Sequence, residues 1–478
     1  VASRRYDELR VLIVEDEMHV VTRLRERLNH LKPGIHIVIA GSRSSGIEAL
    51  RGHEFDFIVC DLRLPPNDGG VDTDEAHGLA VHAEVRSICP GTPCLFFTGF
   101  GTSQNVLEQL SSGGTHDVLG TSELYPMTRL LTKDNFLTCV ERLESFNSEL
   151  AILDTISVEL SSSKVGLDRF DRRSLQLLGR PLGGTSIEAS ALGGLSGAQA
   201  LRAVVKDDRG HALGSYFTKI DLRTKLKKER ENYHRYVSPL LKMGHFPALE
   251  RDIEAGIGKR EALFYQLADE YTKSLFEVLE VSENDAIAVV EVLRDILAPW
   301  TEVREEKTLR IRDLRMERID DSVFQPFRGV LGSTETFEEI EQDMTTSCQH
   351  GDLHGFNVLC SVSGGAVLID FGNVGPAPIC TDPIILELSV LFHKDSPFRN
   401  NPWPTNEQAE AWFHLEEYLV GCPVPEFIRE CRQWANETSG PAGLPPVVYT
   451  EAVRQLKYED ANRERAWGIA RAAMRMAV

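Results

Sequence analysis

Val11-Leu12-Ile13-Val14-Glu15-Asp16-Glu17 is a β-branched apolar run that stops on three acids. A run apolar on both faces suits a strand buried in a parallel sheet. Working outward, a mixed helix follows, then a strand at Ile35–Ala40 and a short helix around Gly46–Leu50. A strand at Phe55–Cys60 ends in Asp61, and a strand at Pro93–Phe97 ends in Thr98. This alternation predicts a doubly wound parallel sheet, in which chemistry gathers at the carboxyl ends of the strands. Glu15, Asp16, Asp61 and Thr98 all fall there, with Lys133 downstream. Any one of these acids alone reads as a solvated strand end; the set, at successive strand ends, reads as a site. Carboxylates crowded on one rim repel each other, and a divalent cation with hard oxygen ligands, Mg²⁺, relieves that repulsion.

The chain has 478 residues, too many for one ordinary core, so two or three domains are expected. Its 42% hydrophobic and 26% charged residues are those of a globular protein. The net charge of -20 argues against a nucleic-acid partner, which needs a basic face, and against an anionic membrane surface. The first residues lack the apolar core of a signal peptide, and no apolar run reaches the length of a membrane span. The nine cysteines are dispersed with no CxxC pair, as expected of reduced thiols in a cytoplasmic protein without structural zinc.

Over about residues 7–147 the motifs resemble the receiver domains of two-component response regulators. Val11–Glu17 is similar to the family's first strand and acidic pair, and Ile58-Val59-Cys60-Asp61-Leu62-Arg63-Leu64-Pro65 to the strand carrying its phosphoacceptor. Phe97-Thr98-Gly99 and Thr132-Lys133 match the hydroxyl and basic motifs. The resemblance implies that Asp61 attacks a phosphoryl donor, an upstream histidine kinase or a small phosphodonor. Glu15 and Asp16 would hold Mg²⁺ with Asp61 and the Arg63 carbonyl, while Thr98 and Lys133 would bind the phosphoryl group. The sequence departs from the family in four places. The loop Pro66–Gly70 is long, Gly113–Met127 looks inserted, Leu130 stands where Tyr or Phe is usual, and Asp134 replaces a proline. Tyr125 is the candidate replacement for the missing aromatic.

Phe136, Cys139, Leu143, Phe146, Leu150, Leu153 and Leu160 fall at three- and four-residue steps, with Ser157 filling one position. Two readings fit this seam: the last receiver helix packing on its own sheet and the next domain, or a helix that dimerises. Ser161-Ser162-Ser163 is expected to end it, and 148–172 reads as a helical connector.

Downstream, Ala191-Leu192-Gly193-Gly194-Leu195-Ser196-Gly197 separates strand-like runs at Thr185–Ala191 and Gln199–Val205, and Gly214–Ile220 carries Lys219. Glycines let backbone N–H groups approach phosphate, though a plain turn reads the same way. His350-Gly351-Asp352-Leu353-His354-Gly355-Phe356-Asn357 is followed by Val367-Leu368-Ile369-Asp370-Phe371-Gly372. An Asp and an Asn five apart on one loop can serve an acceptor and a metal, and the strand delivers a second Asp; phosphoryl transfer needs those parts.

These runs resemble kinase-like phosphotransferases, within them the aminoglycoside and choline kinase branch, over about 180–400. The resemblance implies Asp352 as catalytic base, Asn357 and Asp370 as metal ligands, and ATP with Mg²⁺ as cofactors. It implies Gly193, Gly194, Ser196, Gly197 and Lys219 around the phosphates, and Gln266 and Ala268 in a hinge, Phe264–Ala268, beside adenine. Glu229, with Glu231 as second choice, would orient Lys219 from a helix at Leu226–Leu241. The short span from Asp370 to the helix Asp382–Phe392 leaves little room for a peptide-binding loop, so a small molecule, or an unusual macromolecular acceptor, is favoured over a standard peptide. Helices at Glu270–Trp300 and Thr405–Tyr418 are expected to wall its pocket; their acids suit a cationic acceptor, but a charged helix is more often just a solvated face.

The fold class expected is α/β plus α+β: a five-stranded parallel receiver domain (7–147), the connector (148–172), and a bilobal protein-kinase-like domain (173–478) with lobes at about 173–268 and 269–478. The function expected is a receiver-regulated kinase. The alternatives are a nucleotide-binding scaffold without turnover, and a nucleotidyl transferase. A homodimer would use the helical seam.

Overall fold

The opening run forms the first strand of a parallel sheet in a computed structural model that describes residues 8–31, 34–99, 114–161, 166–191, 199–268, 270–332 and 334–476. In chain order the strands are β1 (Leu9–Val14), β2 (Ile35–Ala40), β3 (Phe57–Cys60) and β4 (Cys94–Thr98). A small hairpin of β5 (Thr115–His116) and β6 (Tyr125–Pro126) then leads to β7 (Thr128–Thr132). The sheet order is β2-β1-β3-β4-β7, parallel throughout. Helices Met18–Leu28 and Phe136–Leu153 bury apolar faces on one side of it, and Arg43–Gly52 and Glu75–Ile88 on the other. The doubly wound sheet is therefore as the sequence implies.

The chain divides into two compact units, the first comprising Val1–Leu226 with Leu249–Gln266, the second Lys227–Ala248 with Leu267–Val478. The first unit holds a second sheet besides the receiver. Its strands are β8 (Ser157–Leu160), β9 (Ser186–Ala191), β10 (Gln199–Lys206), β11 (Ala212–Leu222), β12 (Ala248–Ile253) and β13 (Arg260–Gln266), in the order β12-β13-β11-β10-β9-β8.

The connector differs from expectation. The helix stops at Leu153, and Ser157 and Leu160 lie on β8, which pairs in parallel with β9. A capped helix, Arg169–Gly179, follows, with Asp168 accepting from the Phe170 and Asp171 amides. Phe136, Cys139, Leu143, Phe146, Leu150 and Leu153 are buried in one cluster with β1, β3 and β4 and with Ile187, Leu201, Val205 and Phe264. The seam is thus the receiver's last helix packing on its own sheet and into the next one; the dimerising reading fails because its apolar face is already covered. Periodicity shows that a face is buried, not by what.

Two devices lock the receiver to the second sheet. Asp56, at the start of β3, is buried and paired with Arg169 at 2.5 Å and with Arg173, and it accepts from the Arg10 amide at 2.8 Å. Burial pushes its carboxyl up, but the Arg173 and Arg169 guanidiniums and the Arg10 amide more than reverse this and hold it below its ordinary value. Elsewhere backbone meets backbone: the Gly256 amide donates to the Gly91 carbonyl at 2.9 Å. A Cβ on Gly256, at φ 82°, would lie 2.4 Å from the Val118 oxygen, and one on Gly91 would lie 2.9 Å from the Glu254 oxygen.

The second unit is mainly helical, with Leu275–Val281, Glu283–Glu302, Thr381–Phe392, Pro425–Arg454 and Arg463–Met476. Two three-stranded sheets accompany them. One joins β14 (Tyr271–Ser274), β17 (Val358–Ser361) and β18 (Ala366–Leu368); the other joins β15 (Glu305–Arg310), β16 (Glu341–Gln349) and β19 (Gly375–Pro378). No helix among the described residues is long and apolar enough to cross a membrane.

Candidate functional site

β1 and β3 deliver the receiver's acids to one rim, and β4 ends there in Thr98, as the strand ends require. Oxygens of Glu15, Asp16 and Asp61 all lie within 4.8 Å of one another. Lys133, just past β7, donates to Asp61 at 2.7 Å, to Glu15 at 2.9 Å and to Glu17 at 2.9 Å. Burial, then the Asp61 charge, raises the Glu15 carboxyl well above the carboxylate range, against the pull of Lys133. Burial lowers Lys133, and its bonds to Asp61, Glu15 and Glu17 outweigh that and raise it. Burial also raises Asp16. Three clustered carboxylates, all hard oxygen donors and two of them raised by burial, fit an Mg²⁺ ion. Thr98 is fully buried at the end of β4, beside Thr132 in register.

The long loop after Asp61 is tied down: Ser44 donates to the Pro66 carbonyl at 2.7 Å and Ser45 to Asp68 at 2.8 Å. Tyr125 does not replace the missing aromatic. It packs edge-on to Phe57 and Phe146 in the cluster that contains Phe97, whereas Leu130 packs with Phe96 on the opposite face. Thr98 lies two residues beyond Phe96 on β4, so alternation puts it on the Leu130 side.

In the second unit, β16 ends at Gln349 and the chain turns through His350-Gly351-Asp352. Gly351 has φ 73°, and a Cβ there would lie 2.5 Å from the Asn373 oxygen, so only glycine fits this close turn. Asp382, buried at the start of the Thr381–Phe392 helix, accepts from the His350 amide at 2.7 Å and the Gly351 amide at 2.9 Å. The Asn357 side chain donates to the Asp352 carbonyl at 2.8 Å, and its backbone carbonyl accepts from the Ile369 amide at 3.0 Å. That bond leaves the Asn357 amide oxygen for a cation. Asp370 sits at φ 69°, a left-handed conformation that Asp tolerates better than most residues and that clusters at functional sites. A Cβ on Gly372 would lie 3.6 Å from an Asp370 oxygen and 3.9 Å from a Glu229 oxygen, so those two carboxylates flank Gly372.

The Asp352 carboxylate is not open to solvent alone. Arg454, from the end of the Pro425–Arg454 helix, donates to it at 2.6 Å and to Glu451 at 3.2 Å. Arg318 donates to Glu451 at 2.7 Å and to the Gly351 carbonyl at 2.5 Å. Burial raises Asp352, but Arg454, His354 and Arg318 overwhelm this and leave its carboxyl far below the usual range. A carboxylate held so acidic is a poor proton acceptor, so Arg454 sets how Asp352 can act. Arg454→Met is expected to raise the Asp352 pKa and move the acid limb of the pH–rate profile to higher pH, while Arg454→Lys keeps it near the wild-type position; rates measured from pH 4 to 9 check this.

A cavity of 470 Å³ opens beside Gly351. It is lined from the 228–236 segment, the Ile311–Arg318 helix, Asn373–Thr381 and Val447–Glu451, not from Glu270–Trp300 or Thr405–Tyr418. Those expected walls bury Trp300, Trp412 and Tyr418 in the core instead. Lys228, Arg235 and Arg318 balance Glu231, Glu317 and Glu451 around the cavity.

Other sequence-derived residues are placed as follows. Lys219 is buried on β11, opposite Leu263 of β13 and Ala200 of β10. Glu229 is buried on the helix Arg223–Asn232, while Glu231 is exposed beside Lys227 at 3.8 Å. That helix is shorter than expected and passes into a π-helical turn at Tyr233–Val237. Gln266 closes β13 opposite Tyr216, and the Ala268 carbonyl accepts from the Tyr271 amide. Gly193, Gly194, Ser196 and Gly197 lie outside the described residues. Arg454, Asp382 and Arg318 were missed by sequence reasoning; each acts on the loop across a long chain separation and carries no local motif.

Comparison with known proteins covers the two ends of the chain separately. Residues 11–120 match the response regulator receiver domain, and residues 294–426 match the phosphotransferase enzyme family, a span that contains the His350–Asp370 run. Transcriptional regulatory protein ZraR of Escherichia coli (strain K12) is 26% identical over 108 residues, covering 23% of this chain and 22% of that protein. Transcriptional regulatory protein GlrR of the same organism is 26% identical over 103 residues, covering 22% of this chain and 21% of that protein. The chain thus spans about a fifth of the length of these relatives. Among solved structures, a CheY-like receiver domain protein from Methanospirillum hungatei JF-1 is 17% identical, covering 30% of this chain and 98% of its own, with a TM-score of 0.22. The phosphorylated cyanobacterial phytochrome response regulator RcpA is 16% identical, covering 30% and 95%, with a TM-score of 0.23. The acid rim of the first sheet and the braced Asp352 loop therefore belong to two known kinds of domain: the chain carries a response regulator receiver domain at residues 11–120 and a phosphotransferase-enzyme-family domain at residues 294–426.

Proposed function

We propose that this chain is a cytoplasmic ATP- and Mg²⁺-dependent phosphotransferase regulated by phosphorylation of Asp61. The observation that carries the reading is the Asp352 loop, braced by Asp382 and Asn357 beside a 470 Å³ cavity, on the same chain as the Asp61 rim.

Asp61 would take a phosphoryl group from an upstream histidine kinase or a small phosphodonor, with Lys133 moving from the free carboxylate to the phosphoryl oxygens. Glu15, Asp16 and Asp61 would hold Mg²⁺ there; Asn357 and Asp370 would hold it at the second site. Bound Mg²⁺ neutralises charge on transferring phosphate oxygens. Lys219 would bind the ATP phosphates, and Asp352 would orient the hydroxyl of a small-molecule acceptor. Transfer through a loose transition state asks more of positioning than of proton removal, so a strongly acidic Asp352 still suffices to hold the hydroxyl in line. It gains proton affinity when the Arg454 contact breaks.

The test follows γ-labelled ATP in a metabolite extract, using the full chain with and without beryllofluoride at Asp61. The expected result is label in a small molecule, with beryllofluoride changing the turnover and changing the linked nucleotide affinity by about 5- to 150-fold. Nucleotide binding with no transfer to any acceptor would favour the scaffold reading, and appearance of pyrophosphate would favour nucleotidyl transfer.

A further inference from the structure

A cavity of 430 Å³ lies where β7 and the Phe136–Leu153 helix meet the loop that ends in β6. Arg129, Arg142 and Arg180 line it with Tyr125, Phe146 and Glu149. Arg180 is satisfied, donating to Glu149 at 2.5 Å and to the Leu119 carbonyl at 2.8 Å. Arg129 and Arg142 are different. Neither forms an ion pair among the described residues, and the Nε atom of each is buried without a hydrogen-bond partner. Arg129 lies over the Tyr125 ring at 5.5 Å. Burial, then the positive charge of Arg142, pushes the Arg129 guanidinium down, so the two cations repel each other across the cavity. Glu123, at the exposed rim, pairs with neither.

Two half-buried guanidiniums lining one cavity, neither of them paired with a carboxylate among the described residues, are unfavourable until an anion arrives. Planar guanidinium forks match phosphate oxygens in pairs, and a phosphoryl monoester carries close to two negative charges at neutral pH, enough for both cations. The volume exceeds what one inorganic ion fills and suits a small organic phosphate. We infer that this cavity is a binding site for a small phosphorylated molecule, whose phosphoryl oxygens accept hydrogen bonds from Arg129 and Arg142. The site shares no lining residue with the Asp61 rim. Because Arg180 lies between β8 and β9 of the second sheet and also lines the cavity, the ligand would sit where the receiver joins that sheet.

The test is calorimetric titration of the full chain with pyrophosphate, AMP and adenosine, in buffer containing EDTA so that metal-dependent nucleotide binding is suppressed. The expected result is binding of AMP or pyrophosphate but not adenosine, weakened at least tenfold in the Arg129→Gln/Arg142→Gln variant. Glutamine keeps most of the stems that pack on Tyr125. Hydrogen exchange on the wild-type chain gives a second reading that needs no variant: peptides covering 117–129 and 138–146 should slow when the binding probe is added. AMP binding without pyrophosphate binding identifies an organic phosphate, and the converse identifies an inorganic one; both support the site. The inference is overturned if neither anion binds, if adenosine binds equally, or if the double variant binds as wild type does. It is also overturned if those peptides are protected only by self-association seen in sedimentation.

Discussion

Asp56→Ala is expected to destabilise the first unit by about 3–5 kcal/mol, because it leaves Arg169 and Arg173 buried with no counter-charge. Asp56→Asn should cost less, since an amide oxygen still accepts from the Arg10 amide. The ion pair spans the receiver and the second sheet, so the loss should not be confined to β3. Hydrogen exchange should show β1–β4 and β9–β13 losing protection together, at lower urea than in the wild type. Loss limited to the receiver strands would mean that the two sheets unfold separately. The pH dependence has a definite sign. The folded Asp56 pKa lies below its ordinary value of 3.8, so its contribution is present above that value and is lost as pH falls through the folded pKa. The wild type should therefore lose stability relative to Asp56→Asn as pH drops below about 4.

Asp352→Asn should lower phosphoryl transfer by about 10²–10⁴-fold while ATP affinity stays within about twofold. Asparagine is nearly isosteric and keeps an oxygen for Arg454, so the loop should stay in place through Asp382 and Asn357. What is lost is the charge that orients an acceptor hydroxyl. Calorimetry with Mg²⁺–ATP beside a single-turnover transfer assay separates these effects. An ATP affinity that falls in parallel with the rate would place Asp352 on the nucleotide instead of the acceptor.

Much of the fold was legible because it is written locally. Val11–Val14 is apolar on both faces and ends in acids, and both properties survive translation into a buried strand with a reactive end. The Asp352–Asn357 spacing was equally readable, since one loop holds both residues. What escaped reading is tertiary. Arg454 reaches Asp352 across 102 positions, and Asp56 reaches Arg173 across 117, with nothing in either neighbourhood to announce the pairing. The seam from Phe136 to Leu153 had the right period, but a period carries no information about the covering surface. β8 was hidden because Ser157–Leu160 continued that seam in the sequence while the chain had already turned into a strand.

The close approach of Gly91 and Gly256 bears on inheritance. Fused signalling modules are commonly exchanged between genes, because a linker tolerates any neighbour. Here a transplanted receiver would have to bring an acid at position 56, a glycine at position 91 and the Val118 backbone, each matched to a feature beyond residue 168. A substitution on one side would call for its complement on the other. The two sheets should therefore drift as one lineage, and a shuffled gene joined near residue 147 should yield a chain that fails to fold.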